Sequence, residues 1–158
     1  MSVNADEWPE LSQGEEILTD SNELLWRQVH PQRINGGVIS SEAFEPGRSD
    51  AKQLSCSRES KVSAREAFEH YTLTLEGKSA GVAAVSVEDV GSGAPIPGNE
   101  SEVASLRAVD DTASGVVDLP PGHAYIDFRP LGSARATKKA KQLAFLAHQR
   151  GGIQFPAS

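Results

Sequence analysis

Runs of apolar residues, separated by residues that favour turns, divide this chain into short elements. Leu24 to Val29 is an apolar-rich run closed by His30-Pro31, and a residue before proline favours extended geometry. The run therefore predicts a strand. Asn35-Gly36-Gly37 predicts a turn, and the segments Gly37 to Ser41 and Leu54 to Ser57 predict two further short strands.

Two segments have helical periodicity. In SAREAFEHYTLTL, Ser63 and Glu66 have the spacing of a capping box, in which each side chain accepts a hydrogen bond from the other residue's backbone N–H. Ser133 can cap a second helix, and Gly151 can supply the left-handed residue after its end. Apolar residues recur at helical spacing in both segments, at Ala64, Ala67, Phe68, Tyr71 and Leu75 in the first and at Ala136, Ala140, Leu143, Ala144 and Ala147 in the second.

The remaining pattern predicts two more strands and a long loop. The valine- and alanine-rich run Ala80 to Val87 is typical of a buried strand. Alternation in HAYIDF, residues 123–128, places His123, Tyr125 and Asp127 on the face opposite Ala124, Ile126 and Phe128. Residues 91–122 are rich in Gly, Pro and Ser, which predicts a flexible insertion, with a lid or binding loop as the alternative. This order predicts an α+β fold: one compact domain with a small mixed or antiparallel sheet and two main helices.

Composition is that of a soluble globular protein, because 38% of the 158 residues are apolar and 23% are charged. The sequence has neither an apolar run long enough to span a membrane nor the basic start and apolar stretch of a signal peptide. We therefore expect a cytoplasmic protein. The single cysteine, Cys56, excludes an intramolecular disulfide.

The net charge of −7 is unevenly distributed. Residues 1–23 contain seven acids and no Lys or Arg, which predicts an acidic, disordered tail before a domain at 24–151, with 152–158 as a C-terminal tail. From residue 129 onward the chain has six Lys or Arg residues and no acid. In the alternative interpretation, the acidic head folds over the basic C-terminal helix and masks it, with Trp8 as its anchor.

The common motifs of nucleotide, zinc and hydrolase sites are absent from the sequence. Cys56 in a strand is more typical of an inert small hydrophobe than of a nucleophile. The histidines lack the spacing of metal ligands, so no metal site is predicted. His30 ends a predicted strand and His123 begins one, and from such positions side chains reach a cleft. His70 is interpreted as a surface or satisfied core histidine, and His148 as structural.

Arg27 is the most unusual residue of the first strand, because a guanidinium in an apolar run needs a carboxylate, a phosphate or carbonyl groups as partners. One interpretation is an ion pair with an acid such as Asp127. The other is a phosphate clamp, in which Ser40 and Ser41 donate hydrogen bonds to a ribose or base amide and Phe44 stacks beneath it. Tyr125 completes the candidate substrate contacts.

The runs RQVHP, SSEAFEP, LSCSRES, FEHYT, GVAAVSV and HAYIDF, between about residues 24 and 151, resemble a group of small uncharacterised bacterial proteins. More loosely, the order of an arginine strand, a serine-bearing strand and a helix is similar to the ADP-ribosyltransferase fold, including RES-type toxins that degrade NAD. The resemblance implies that Arg27 binds a dinucleotide, that Ser41 supports the nicotinamide ribose, and that a late acid polarises the ribose. Glu69 and Asp127 are the candidate acids.

Two functional hypotheses follow. As an enzyme, the protein would consume NAD as a substrate, without a bound cofactor, in a cleft formed by Arg27, His30, Ser41 and His123, and would be a toxin or defence effector with an antitoxin as its protein partner. As a non-catalytic interaction module, it would bind an acidic protein or a nucleic acid through its C-terminal helix. The cations of that helix are Arg135, Lys138, Lys139 and Lys141. A membrane is not expected as a partner.

Overall fold

Four of the predicted strands lie side by side in one antiparallel sheet. The computed structural model describes residue 3 and residues 7–99, 101–116 and 119–156. Within these residues, seven strands pair in the order β1-β7-β8-β5-β2-β6-β9, and β3 and β4 form a separate two-stranded ribbon. The strands are β1 Glu16–Ile17, β2 Leu24–Val29, β3 Ile34–Asn35, β4 Val38–Ile39, β5 Gln53–Arg58, β6 Gly81–Ser86, β7 Ala108–Asp110, β8 His123–Asp127 and β9 Ile153–Phe155.

Both predicted helices are present. Helix α1 starts with the predicted capping box between Ser63 and Glu66 and continues into a π-helical turn, in which the N–H of Leu75 donates to the carbonyl of His70. Helix α3 begins after Gly132, so Ser133 is its first residue rather than its cap. Gly151 has the predicted positive φ, +105°. The helices are α1 Ala64–Glu69, the π turn His70–Thr74, α2 Val87–Gly91 and α3 Ser133–Gln149, and the 3-10 helices are Pro31–Arg33, Ser41–Phe44 and Arg48–Asp50.

The prediction of a single α+β domain is confirmed. Helix α3 covers one face of the sheet, where its apolar stripe joins the larger core cluster with residues such as Leu25, Phe44 and Phe128. Helix α1 lies on the opposite face over a smaller cluster that includes Trp26 and Val82. Because this second cluster is small, the sheet is less completely covered on the α1 face.

The predicted tails and insertion are corrected at three places, because strands of the sheet lie in the head 1–23, in the insertion 91–122 and in the C-terminal tail 152–158. Glu16–Ile17 of the acidic head form β1 and pair with β7. Strand β7 and its buried neighbours lie within the predicted insertion, and β9 lies within the predicted C-terminal tail. Residues 1–2, 4–6, 100, 117–118 and 157–158 lie outside the described part of the chain.

The predicted third strand, Gly37 to Ser41, is shorter than expected. Strand β4 contains only Val38–Ile39, and the chain then turns into a 3-10 helix. The hydroxyl of Ser40 accepts a hydrogen bond from the N–H of Glu42 and caps that helix. Serine at such a cap replaces a missing backbone partner, which explains why Ser41 begins a helical turn rather than ending a strand.

No helix in the described ranges is long and apolar enough to cross a bilayer.

Candidate functional site

A groove with a volume of about 900 Å³ lies on the α1 face of the sheet. Its lining comes from β2 and β5, from α1 with the π turn, from the loops around the first two 3-10 helices, and from the start of β8. This volume lies within the range of ~300–1,000 Å³ typical of small-molecule sites. We call it the groove below.

Arg27 enters the groove where β2 and β5 separate. The two strands pair only at Leu25 and Trp26, so the carbonyl of Ser55 has no ladder partner on β2. The Arg27 Nη1 donates to that carbonyl at 2.9 Å, and Nε donates to the carbonyl of Ala43 at 2.8 Å. The guanidinium is thus fixed in orientation by two neutral acceptors. Among the described residues, Nη2 has no acceptor.

The suggested ion pair between Arg27 and Asp127 is wrong. Asp127 is fully buried and binds Arg107 and Arg129 instead, at 3.1 and 2.8 Å. Burial opposes ionisation of this carboxyl, but the hydrogen bonds from Arg129 and Arg107 hold its pKa below the usual value. Asp127 is therefore a structural acid and is removed from the candidate catalytic carboxylates.

The carboxylates that line the groove are engaged in local contacts. Asp50 accepts from the N–H of Gly47 at 2.6 Å, and its charge acts on Arg27 only from a distance. The other contacts are Glu42 with Arg33, Glu45 with Thr137, Glu66 with Ser63, and Glu69 with Arg65. In contrast, Arg27, Lys61 and Lys78 line the groove without a carboxylate partner among the described residues. Burial lowers the pKa of Arg27, yet an arginine stays charged in proteins.

His123 and Ser57 lie side by side in the groove. They are directly opposite each other in the β5–β8 ladder. The N–H of Arg58 donates to the carbonyl of Gly122, which makes the next pair, Ser57 and His123, a non-hydrogen-bonded one with close side chains. His123 Nδ1 lies 2.6 Å from Asp111 Oδ1.

His30, a predicted site residue, lines the groove, and so does His70, which the sequence indicated as a surface or satisfied core histidine. His30 Nδ1 accepts from the N–H of Gln32 and caps the 3-10 helix Pro31–Arg33. His70 is part of the π turn. Within the described ranges, neither its buried Nδ1 nor the buried Oε1 of Gln28 has a hydrogen-bond partner, so two polar atoms beside the groove are unsatisfied.

Four predicted contacts lie away from the groove. Phe44 is 0% exposed in the larger core, so it offers no face for stacking. Ser40 caps a helix and Ser41 starts it. Tyr125 is buried, and its hydroxyl donates to Glu15 at 2.8 Å and accepts from Arg129. Burial and the hydrogen bond to Glu15 raise the pKa of Tyr125, which leaves it a neutral structural donor.

Cys56 lines the groove from a buried position. Burial raises the pKa of its thiol to about 12. Since the thiolate is the nucleophile, this cysteine is unreactive near neutral pH, in agreement with the interpretation from the sequence.

The C-terminal helix does not present all four of its cations to solvent. Lys139 is 0% exposed and donates to the carbonyls of Asp89 and Ser92. Lys138 donates to the carbonyl of Glu102, and Arg135 lies 4.0 Å from Glu7 of the acidic head. Lys141 is exposed. The contact with Glu7 agrees with the alternative in which the head folds against this helix, and Trp8 stacks under Arg107 at 4.4 Å.

Sequence reasoning missed two polar residues of the groove region, Ser57 and Asp111. Ser57 was included in a predicted strand, but no local signal identifies the strand that pairs with it. Asp111 lies within the predicted insertion. Their proximity to His123 follows from the pairing of β8 with β5 and β7, which places Ser57 opposite a residue 66 positions later in the chain.

No protein-family model, curated protein or solved structure matches this chain. The resemblance to the ADP-ribosyltransferase fold therefore stays a prediction.

Proposed function

We propose that this protein binds a small organic anion of about nucleotide size in the groove, with Arg27 holding its phosphate or carboxylate. The observation that carries the proposal is the geometry of Arg27. Two carbonyls fix the guanidinium, no described carboxylate neutralises it, and Nη2 is left for a ligand.

An enclosed charge is costly without an opposite charge nearby. Neutral carbonyl groups orient the Arg27 guanidinium but do not cancel its charge. A phosphate or carboxylate accepts charge-assisted hydrogen bonds from such a guanidinium. Lys61 and Lys78, exposed at the groove, add to the attraction.

Isothermal titration calorimetry with AMP, pyrophosphate and NAD, and with adenosine as an uncharged match for AMP, tests this proposal. We expect at least one of the anions to bind and adenosine to bind far more weakly. The Arg27→Gln variant should lose about 10- to 100-fold in affinity, because a hydrogen bond to a charged group contributes ~1.5–3 kcal/mol.

Arg65→Gln is the matched control. Arg65 is an exposed arginine on α1, outside the groove, paired with Glu69. It should bind the same anion as the unmodified protein does. If none of the anions binds at millimolar concentration, or if Arg27→Gln and Arg65→Gln bind equally well, the proposal is wrong.

NAD cleavage is the second candidate function. The observation that favours it is that Glu69, a candidate acid, lines the same groove as Arg27 and His30. Proton NMR should then show nicotinamide released from NAD by the full chain and not by Arg27→Ala. The full chain is required because Glu16–Ile17 belong to the sheet. An unchanged NAD spectrum would exclude this activity and leave anion binding in place.

A further inference from the structure

We infer that Ser57, His123 and Asp111 form a nucleophilic triad that hydrolyses an ester in the groove. The proposal deepens the proposed function, on which it rests for the anionic group that places the substrate beside Arg27. Its first observation is the contact between His123 and Asp111, which has no role in binding an anion at Arg27.

Asp111 fixes the tautomer of His123. An ionised carboxylate can only accept hydrogen bonds, so the 2.6 Å contact requires the proton on Nδ1 of His123. In the neutral imidazole, Nε2 then carries a lone pair and can act as a general base. The side chains of His123 and Asp111 are 12% and 14% exposed, which limits competition from water for this contact.

The β5–β8 ladder places the nucleophile beside this base. Ser57 and His123 are directly opposite each other, so their side chains point to the same face of the sheet. Residues in a non-hydrogen-bonded pair have Cβ atoms roughly 4.5–5.5 Å apart. Both residues line the groove, so the Ser57 hydroxyl and the His123 imidazole are neighbours at its surface.

The substrate is identified by its chemistry as an ester that carries an anionic group. Arg27 and its neighbour Trp26 point to opposite faces of β2, so the pairing of Trp26 with Ser57 does not by itself bring Arg27 to Ser57. The Nη1 of Arg27 instead reaches the carbonyl of Ser55, two residues before Ser57 on β5, and both Arg27 and Ser57 line the groove. We expect a molecule whose phosphate or carboxylate is bound by Arg27 to extend along β5, with its carbonyl carbon near Ser57. Such positioning accounts for much of the rate gain when a nucleophile and an electrophile are held together.

The reaction proceeds in two steps, acylation of Ser57 and hydrolysis of the acyl group. Ser57 Oγ bonds to the carbonyl carbon while its proton moves to His123 Nε2, and the leaving alcohol departs with that proton as its C–O bond breaks. Water then attacks the acyl carbon and gives a proton to Nε2. The bond from the acyl carbon to Ser57 Oγ breaks, and Oγ regains the proton, which yields an acid and restores the site.

The test is covalent labelling of the full chain by a fluorophosphonate, followed by intact mass and peptide mapping. We expect a single adduct on Ser57, with loss of fluoride. Ser57→Ala should not be labelled, and His123→Ala and Asp111→Asn should be labelled at least 10-fold more slowly. Circular dichroism of each variant checks that it is folded.

Ser49→Ala is the matched control. Ser49 is an exposed serine outside the groove, so the substitution removes a serine hydroxyl without touching the anion site or the triad. It should be labelled like the unmodified protein. No adduct, an adduct elsewhere, or equal labelling of Ser57 in folded Asp111→Asn would overturn the triad.

The two proposals fail separately. Ser57→Ala should still bind the anion that the calorimetry identifies, because Arg27 is unchanged. Arg27→Gln should still be labelled, because the probe carries no second anionic group. Anion binding without labelling therefore rejects the triad alone, whereas labelling without anion binding rejects the proposed ligand class.

Discussion

Arg58 and Arg27 lie on neighbouring strands and are both largely enclosed, but their partners differ in charge. Arg58 donates to Glu23 at 2.9 Å and to Asp110 at 2.6 Å, so two carboxylates neutralise it. Among the residues that the structure describes, Arg27 donates only to two carbonyls. The charge of Arg58 is balanced without a ligand, whereas the charge of Arg27 is not balanced by its partners. This contrast is the physical basis for assigning the groove to an anion.

The carboxylates around Arg58 show how tightly that region is paired. Burial opposes ionisation of Glu23, yet hydrogen bonds from Arg58 and Ser60 hold its pKa below the usual value. Burial likewise opposes ionisation of Asp110, and hydrogen bonds from Thr112 and Arg58 lower its pKa. The network connects the turn before β2 with the ends of β5 and β7, and so stabilises residues that the sequence placed in a tail and a loop.

The largest expected effect is on stability. Arg58→Met should lower the free energy of unfolding by about 3–5 kcal/mol, because it leaves two enclosed carboxylates without their cation. Arg27→Met should lower it less, by about 1–3 kcal/mol, because it leaves two carbonyls unpaired but removes a costly charge. Urea denaturation of the two variants measures both values.

The order of the two losses is what tests the comparison. An equal or larger loss for Arg27→Met would mean that the charge of Arg27 is compensated as fully as that of Arg58. An anion would then not be expected to bind in the groove. Conversely, added ligand should raise the midpoint of unfolding of Arg58→Met and leave that of Arg27→Met unchanged, because only a bound ligand stabilises the folded state.

The difference between these two regions also shows what a sequence can predict here. The capping box at Ser63 and Glu66 and the long stripe of α3 are local patterns, and the structure has both. The strands β1, β7 and β9 have only two or three residues each, too few for any periodicity. They exist because they pair with distant residues, as Glu16 does with Asp110.

The same limit applies to the site. Arg27 was predicted because its charge lies in an apolar run, and His30 and His123 were predicted from their positions at strand ends. The structure brings all three to one groove. The partners of Arg27 depend on where β2 and β5 separate, which no local pattern encodes. One missed signal was local: Ser40, two residues before Glu42, has the spacing of a helix cap.

Lys139 is a third enclosed cation, and it sharpens the comparison because it can lose its proton. Like Arg27, it donates to two carbonyls, those of Asp89 and Ser92. Burial lowers its pKa to about 7, whereas an arginine under similar conditions stays charged. Because an unfolded lysine titrates near ~10.4, the unfolded chain binds more protons than the folded one between these two values. Stability linked to Lys139 therefore rises with pH in this window.

The smallest expected effect is this pH dependence. Between about pH 7 and pH 8.5, the unfolding free energy of the unmodified protein should rise by about 1–2 kcal/mol relative to Lys139→Met. The unfolded thiol of Cys56 titrates near ~8.5 and acts in the opposite direction, but it is present in both proteins, so its effect cancels in this comparison. Lys141→Met, an exposed position on the same helix, is the control and should follow the unmodified protein. If the unfolding free energies of Lys139→Met and the unmodified protein change with pH in parallel, the charge of Lys139 is compensated by the fold, as that of Arg58 is. A cation that contacts only carbonyls could then not be taken as uncompensated.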